Sequence, residues 1–257
     1  MSVLHVAAIL AAGFAAGTIN TIVGSGSLIT FPTLLVLGYP PLTANISNNI
    51  GLVPGGVSGS YGYRHELVGH SATVRRLAPL SFVGSVVGAG LLLVLPPAAF
   101  SAIVPALIAI ALVLVLAGPT LQRRAAGRRE AEQDDPPWHR PVLGTSVTVA
   151  GAYGGYFGAA QGVLLMGIFS AFSAEPLQRA NALKNVLSAI VNGVAALTFV
   201  AFARGSIDWW VVLVIAVGSF LGGVVGARIG RRIPPLALRG VIVVIGLVAI
   251  VRLVFFR

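Results

Sequence analysis

Residues 13–51 read GFAAGTINTIVGSGSLITFPTLLVLGYPPLTANISNNIG, and the order of parts in that stretch decides how the chain folds. A glycine-bearing apolar run meets a glycine-rich break at Gly24–Ser27, and a short apolar segment centred on Pro32 follows. The stretch then closes on a helix start that carries Asn45, Asn48 and Asn49. The same succession returns later, as GAYGGYFGAAQG at 151–162 and EPLQRANALKNVLSAIVNG at 175–193. Working outward, Gly17 matches Gly155 and Ala44-Asn45 matches Ala180-Asn181. Tyr63-Arg64 matches Ala203-Arg204, Val83-Gly84-Ser85 matches Val217-Gly218-Ser219, and Pro96-Pro97 matches Pro234-Pro235, all at offsets of 134 to 140 residues. A duplicated apolar half is how many secondary transporters are built, with the substrate site between the halves.

Composition agrees. Of 257 residues, 56% are hydrophobic and 9% charged, and the mean hydropathy is +0.93; soluble domains carry about 25% charge. Residues 1–12 lack a basic leader region, so no signal peptide is expected. The absence of cysteine removes thiolate and iron–sulfur chemistry. A net charge of +10 would suit nucleic acid, but the arginines stand beside the ends of apolar segments, where membrane topology places them. The lipid bilayer is therefore the expected partner, and nucleic acid is not.

Apolar segments fall at 3–22, 24–38, 42–63, 72–95 and 98–121, and again at 142–158, 160–173, 177–203, 207–229 and 236–256. This predicts an all-α polytopic membrane protein of about eight to ten membrane segments. Residues 1–121 form a first repeat and 142–257 a second, joined by a linker loop at 122–141 that holds five arginines and four acids and needs no fold of its own. Segments 24–38 and 160–173 are too short for a full span and follow GSGS and GAAQG, so they read as broken or re-entrant helices. Alternatively, those glycines only let helices approach. That explanation suits Gly84, Gly88, Gly218, Gly222 and Gly226, which recur four apart in pairs on continuous helices.

Arginine placement favours an inverted arrangement. With residue 1 outside and an odd number of crossings per half, thirteen arginines, including those of 122–141, face the cytoplasm and three face out. A parallel arrangement strands Arg228, Arg231, Arg232 and Arg239 on the wrong face.

The seven acids (Glu66, Glu130, Glu132, Asp134, Asp135, Glu175 and Asp208) lie in or beside loops, as do the histidines. No cluster has metal-ligand spacing, and neither metal nor cofactor is expected. Ser25 in its glycine setting would suit an intramembrane serine protease, but that chemistry needs a base at membrane depth and no histidine is there, so no enzyme is expected. What the membrane segments do hold is neutral polar residues and one cation. Asn181, Lys184, Asn185, Ser188 and Asn192 step by three and four along one helix face, and Asn45, Asn48 and Asn49 take the places of Asn181, Lys184 and Asn185 in the first half. Two such faces meeting would ring a polar site, joined by Ser25, Ser27 and Gln161 from the breaks. An ammonium in the bilayer costs about 2.5–3.5 kcal/mol on insertion scales, and an anion held between it and half-helix N-termini would offset that cost. The other reading has Lys184 snorkelling to the interface near Arg179.

The stretch 13–51, its echoes at 151–162 and 175–193, and GSIDWW at 205–210 together resemble the sulfite exporter TauE/SafE family of bacterial membrane permeases, over nearly the whole chain. The match thins at 162–176, where no proline answers Pro32 and Met166 and Phe169 fill the segment, and the break has fewer glycines than the family often shows. The resemblance implies a multi-pass protein of the bacterial cell membrane that exports a small anion: sulfite, a sulfonate or a related organic acid. An anion channel of the same architecture and a non-transporting membrane subunit are the competing readings. An oligomer is compatible with all three.

Overall fold

The computed structural model describes residues 2–131, 138–173, 175–229 and 235–255. Among them are ten α-helices and no strand. The first five are α1 (Val3–Ile22), α2 (Ser27–Val36), α3 (Pro41–Gly62), α4 (Ser71–Val94) and α5 (Pro97–Ala131). The second five are α6 (His139–Tyr156), α7 (Gln161–Phe172), α8 (Leu177–Phe202), α9 (Trp209–Ile229) and α10 (Pro235–Phe255). A 3₁₀ turn follows α3 at Arg64–Leu67, and another follows α8 at Arg204–Ser206. Prolines open matching helices: Pro97 starts α5 and Pro235 starts α10, where a missing N–H costs nothing.

The described residues form an all-α, multi-pass membrane protein. Helices α1, α4, α8 and α9, together with Pro97–Arg124 of α5, are long and apolar enough to cross a bilayer. At 1.5 Å per residue the 20 residues of α1 reach about 30 Å. The ten residues of α2 and the twelve of α7 reach about half that depth. Helix α5 is longer than its sequence suggests. It continues through Leu121 to Ala131, into what charge alone had marked as loop, and α6 begins at His139. The run is rich in Arg, Ala and Glu, which are good helix formers whatever their solubility. Residues 132–137 of that linker lie outside the described residues.

Packing between the halves is reciprocal. α1 of the first half lies against α9 of the second, and α6 of the second lies against α4 of the first. In the same way α5 packs on α7 and α10 on α2, while α3 and α8 touch each other. Small residues make these crossings close, as in many membrane helix pairs. A Cβ on Gly17 would run into the Ser219 carbonyl, and one on Gly155 would run into that of Ser85. Hydroxyls tie the crossings. Thr18 Oγ1 donates to Gly222 O at 3.1 Å, Ser219 Oγ to Gly51 O at 2.8 Å, and Ser85 Oγ to Val191 O at 2.7 Å. The five glycines spaced four apart on α4 and α9 are thus packing residues, as their setting on unbroken helices suggests.

Candidate functional site

The site is made by two helices that stop in the same way. At the end of α1 the N–H groups of Val23 and Gly24 both donate to Ile19 O, at 2.7 and 3.1 Å, and Gly24 takes a left-handed φ of 89°. At the end of α6 those of Phe157 and Gly158 both donate to Tyr153 O, at 2.9 and 3.2 Å, and Gly158 has φ 76°. Both are glycine terminations that reverse the chain. The two breaks then touch. Gly162 N donates to Gly24 O at 2.9 Å. A Cβ on Gly24 would stand 2.5 Å from Gly162 Cα, so no larger residue fits at this crossing. The crossing therefore sets the first turn of α7 against the break that precedes α2. Neither helix has a side-chain cap on its first N–H groups, and the residue before α7, Ala160, is held at φ 59°. Phe157 braces the junction edge-on against Phe31 of α2, ring centroids 5.2 Å apart.

Terminating a helix leaves its last carbonyls without backbone donors. Side chains from the opposite half supply them. Lys184 Nζ donates to Asn20 O and Thr21 O at the end of α1, both at 3.1 Å. Asn181 Nδ2 and Asn185 Nδ2 also donate to Thr21 O, at 3.4 and 3.3 Å. In mirror fashion Asn45 Nδ2, on α3, donates to Tyr156 O at the end of α6, at 3.0 Å. Lys184 is fully buried, at 0% exposure. Its stem lies across the crossing, with Cδ 3.2 and 3.0 Å from where Cβ atoms on Gly24 and Gly162 would sit. It does not snorkel. Its ammonium turns inward onto a helix C-terminus, where the backbone dipole favours a cation.

The remaining candidates divide. Asn48 is buried and accepts from Thr30 Oγ1 of α2. Sequence reading passed over Thr30, although a threonine inside SLITFPTLLV is a visible signal. Asn49 is buried with Oδ1 unpartnered, as are Ser25 Oγ and Gln161 Nε2. Gln161 folds back over Gly154. Ser27 is half-buried, its Oγ 3.9 Å from the Cβ position of Gly158. The Tyr156 and Ser188 hydroxyls are further buried groups without a hydrogen-bond partner. Buried polar atoms are paired in the great majority of cases, so several unpaired ones on the elements that meet at one crossing set it apart from the apolar packing around it.

Two acids among the described residues have partners away from the crossing. Glu175 pairs with Arg179 at 2.8 Å, and Asp208 Oδ1 caps α9 through the N–H groups of Trp210 and Val211. Among the described residues no group of His, Asp or Glu has a geometry that could hold a metal ion. Two apolar grooves, one between α5 and α7 (about 460 Å³) and one among α3, α8 and α9 (about 650 Å³), are lined by none of the nine candidate residues.

The family described as Sulfite exporter TauE/SafE matches residues 9–253. Among curated proteins, the chain is 30% identical over 250 residues to a probable membrane transporter protein, ORF9, of Sinorhizobium sp, covering 94% of this chain and 89% of that one. It is 28% identical over 241 residues to the probable membrane transporter protein YfcA of Escherichia coli (strain K12), covering 93% and 86%. A probable membrane transporter protein of Haemophilus influenzae is 26% identical, covering 95% and 92%. No solved structure matches the chain.

Proposed function

The chain belongs to the sulfite exporter TauE/SafE family of membrane transporters, and on that premise we propose that it is a secondary transporter that exports a small anion: sulfite, a sulfonate or a related organic acid. The observation that carries the anion is the crossing of the breaks, where the stem of buried Lys184 overlies Gly24 and Gly162. An ammonium has three donors. Two are spent on carbonyls, which bear only partial charge, so the third and nearly a full positive charge remain for a ligand. The first turns of α2 and α7, which no side chain caps, add the positive ends of two helix dipoles. Ser25 and Gln161 supply unpaired donors beside them. Asn45, Asn181 and Asn185 bond across the two halves around that centre, Asn48 ties α3 to α2, Asn49 adds an unpaired oxygen, and Ser27 stands at the edge.

Transport then amounts to opening this closed site to one side at a time. Each half donates hydrogen bonds to the helix of the other that ends at its break, so a rocking motion between inverted halves would carry the site as a unit. The test is uptake of labelled sulfite and labelled methanesulfonate into proteoliposomes, against protein-free vesicles. Saturable uptake of either, accelerated by the unlabelled anion on the far side, fits a carrier. Conduction without saturation or exchange points to a channel, and no flux of either probe removes the anion reading.

A further inference from the structure

We propose that Lys184 is also the coupling-ion site, and that the ion is a proton: one proton crosses on its amine with each anion. The inference rests on the anion reading above and deepens it.

The first reason is the company Lys184 keeps. The elements packed against α8 are α1, α3, α4, α6, α7 and the two 3₁₀ turns. Their titratable or charged residues are His5 on α1, Tyr61 on α3 and Tyr63 just beyond it. Arg64, His65 and Glu66 lie on the first turn, and Arg75 and Arg76 on α4. His139, Arg140, Tyr153 and Tyr156 belong to α6, and Arg204 to the second turn. α7 has none, and on α8 itself Arg179 is paired with Glu175. His5 is fifteen residues from Asn20 along α1, about 22 Å away. The hydrogen bonds of Lys184 go to backbone carbonyls, not to a carboxylate. A fully buried ammonium held this way needs a mobile anion as its partner, or must lose its proton.

Second, ending a helix does not require a lysine. The matching terminus of α6 is served by the neutral amide of Asn45, and Thr21 O already receives two asparagine amides. What the second half adds is a group that can change charge.

Third, the chemistry closes. With a monovalent anion bound, such as a sulfonate or hydrogen sulfite, the ammonium keeps its two carbonyl bonds and the site is electrically neutral. When the anion leaves toward water, one N–H bond of Nζ breaks. The proton passes to water and the electron pair stays on nitrogen. The neutral amine still has two N–H donors for Asn20 O and Thr21 O, so the helix end stays satisfied while the charge is gone. Both forms that must cross, loaded and empty, are then neutral at the site, so the joint passage of one proton and one anion responds little to membrane potential.

The experiment is proton and anion flux in the same vesicles. Full-length protein is reconstituted with a trapped pH dye, with valinomycin and potassium setting the potential and methanesulfonate, a permanent anion, as probe. Uptake acidifies the lumen by about one proton per anion at a rate indifferent to the imposed potential. Lys184→Gln keeps an amide donor for the α1 carbonyls, reconstitutes as a folded protein by melting and size-exclusion profiles, and moves no protons. Uptake by the wild type without acidification overturns the proton site and leaves the anion reading standing. Acidification by Lys184→Gln at the wild-type rate places the coupling group elsewhere and also overturns it. If neither methanesulfonate nor sulfite enters at all, the anion reading fails and this inference falls with it.

Discussion

Replacing Lys184 by methionine removes the only charge at the crossing while keeping most of the stem that packs over Gly24 and Gly162. The magnitude follows from two terms. A cation and an anion about 4 Å apart at an effective dielectric near 20 attract by about 4 kcal/mol, which is nearly a thousandfold in affinity at about 1.4 kcal/mol per decade. Even half of that, after the bound anion relaxes onto the helix N-termini, leaves a loss of roughly thirtyfold. The stability term is smaller. Thr21 O keeps the amides of Asn181 and Asn185, and Asn20 O loses its lysine donor. An orphaned buried carbonyl costs about 1–3 kcal/mol, partly offset because the methionine needs no buried charge. Lys184→Met is therefore expected to reconstitute as a folded protein, with a melting point lowered by a few degrees, and to lose uptake of sulfite and methanesulfonate at substrate levels near the wild-type KM. Wild-type uptake by this variant would refute the reasoning: the lysine would then be a helix cap and nothing more.

Lys184→Arg should be impaired as well, because a planar fork cannot place one point charge over both carbonyls and a ligand; uptake with wild-type kinetics would count against the geometry. Asn45→Ala removes the donor to Tyr156 O and should cost about 1 kcal/mol of stability with a milder transport defect than Lys184→Met, read by thermal melting beside uptake. Gly162→Ala would drive a Cβ into the Gly24 carbonyl and the Lys184 stem and should destabilise or misfold the protein, whereas Gly167→Ala, with open space around it, should behave as wild type. The chain has no cysteine of its own, so single cysteines report topology cleanly. A cysteine at Arg124 should resist a membrane-impermeant thiol reagent in whole cells while one at Pro97 labels, and labelling of both from outside would contradict the inverted arrangement.

Much of this architecture was open to reading because lipid simplifies the code. Outside closed β-barrels a span must be helical to satisfy its own backbone, so the limits of α1, α4, α8 and α9 fall within one or two residues of their apolar runs. Glycine breaks were equally readable: Gly24 and Gly158 sit at positive φ, where other residues are strained. Two things escaped. The length of α5 was hidden because charged residues in a helix and in a loop look alike by hydropathy. The partners of Lys184 were hidden because they are main-chain carbonyls, and Asn20 O and Thr21 O carry no trace in the identity of their side chains. The face bearing Asn181, Lys184 and Asn185 could be found from spacing, but what it faces could not.

The difference between the halves is more informative than their likeness. Duplication supplies two helix ends, each closed by a side chain from the opposite half, and by symmetry alone both closures could be neutral amides. The first is, through Asn45. The second adds an ammonium beside two amides. A uniform pair of amide closures would make a scaffold with two equivalent ends and no reason for charge to be buried. On the function proposed above, placing one ionisable group at one end gives the site a sign that selects an anion and a proton to gain or lose, so the two halves take unequal roles in a cycle. The costly departure from symmetry thus falls at the crossing of the breaks, where a neutral amide of the kind that closes α6 would have served the fold as well.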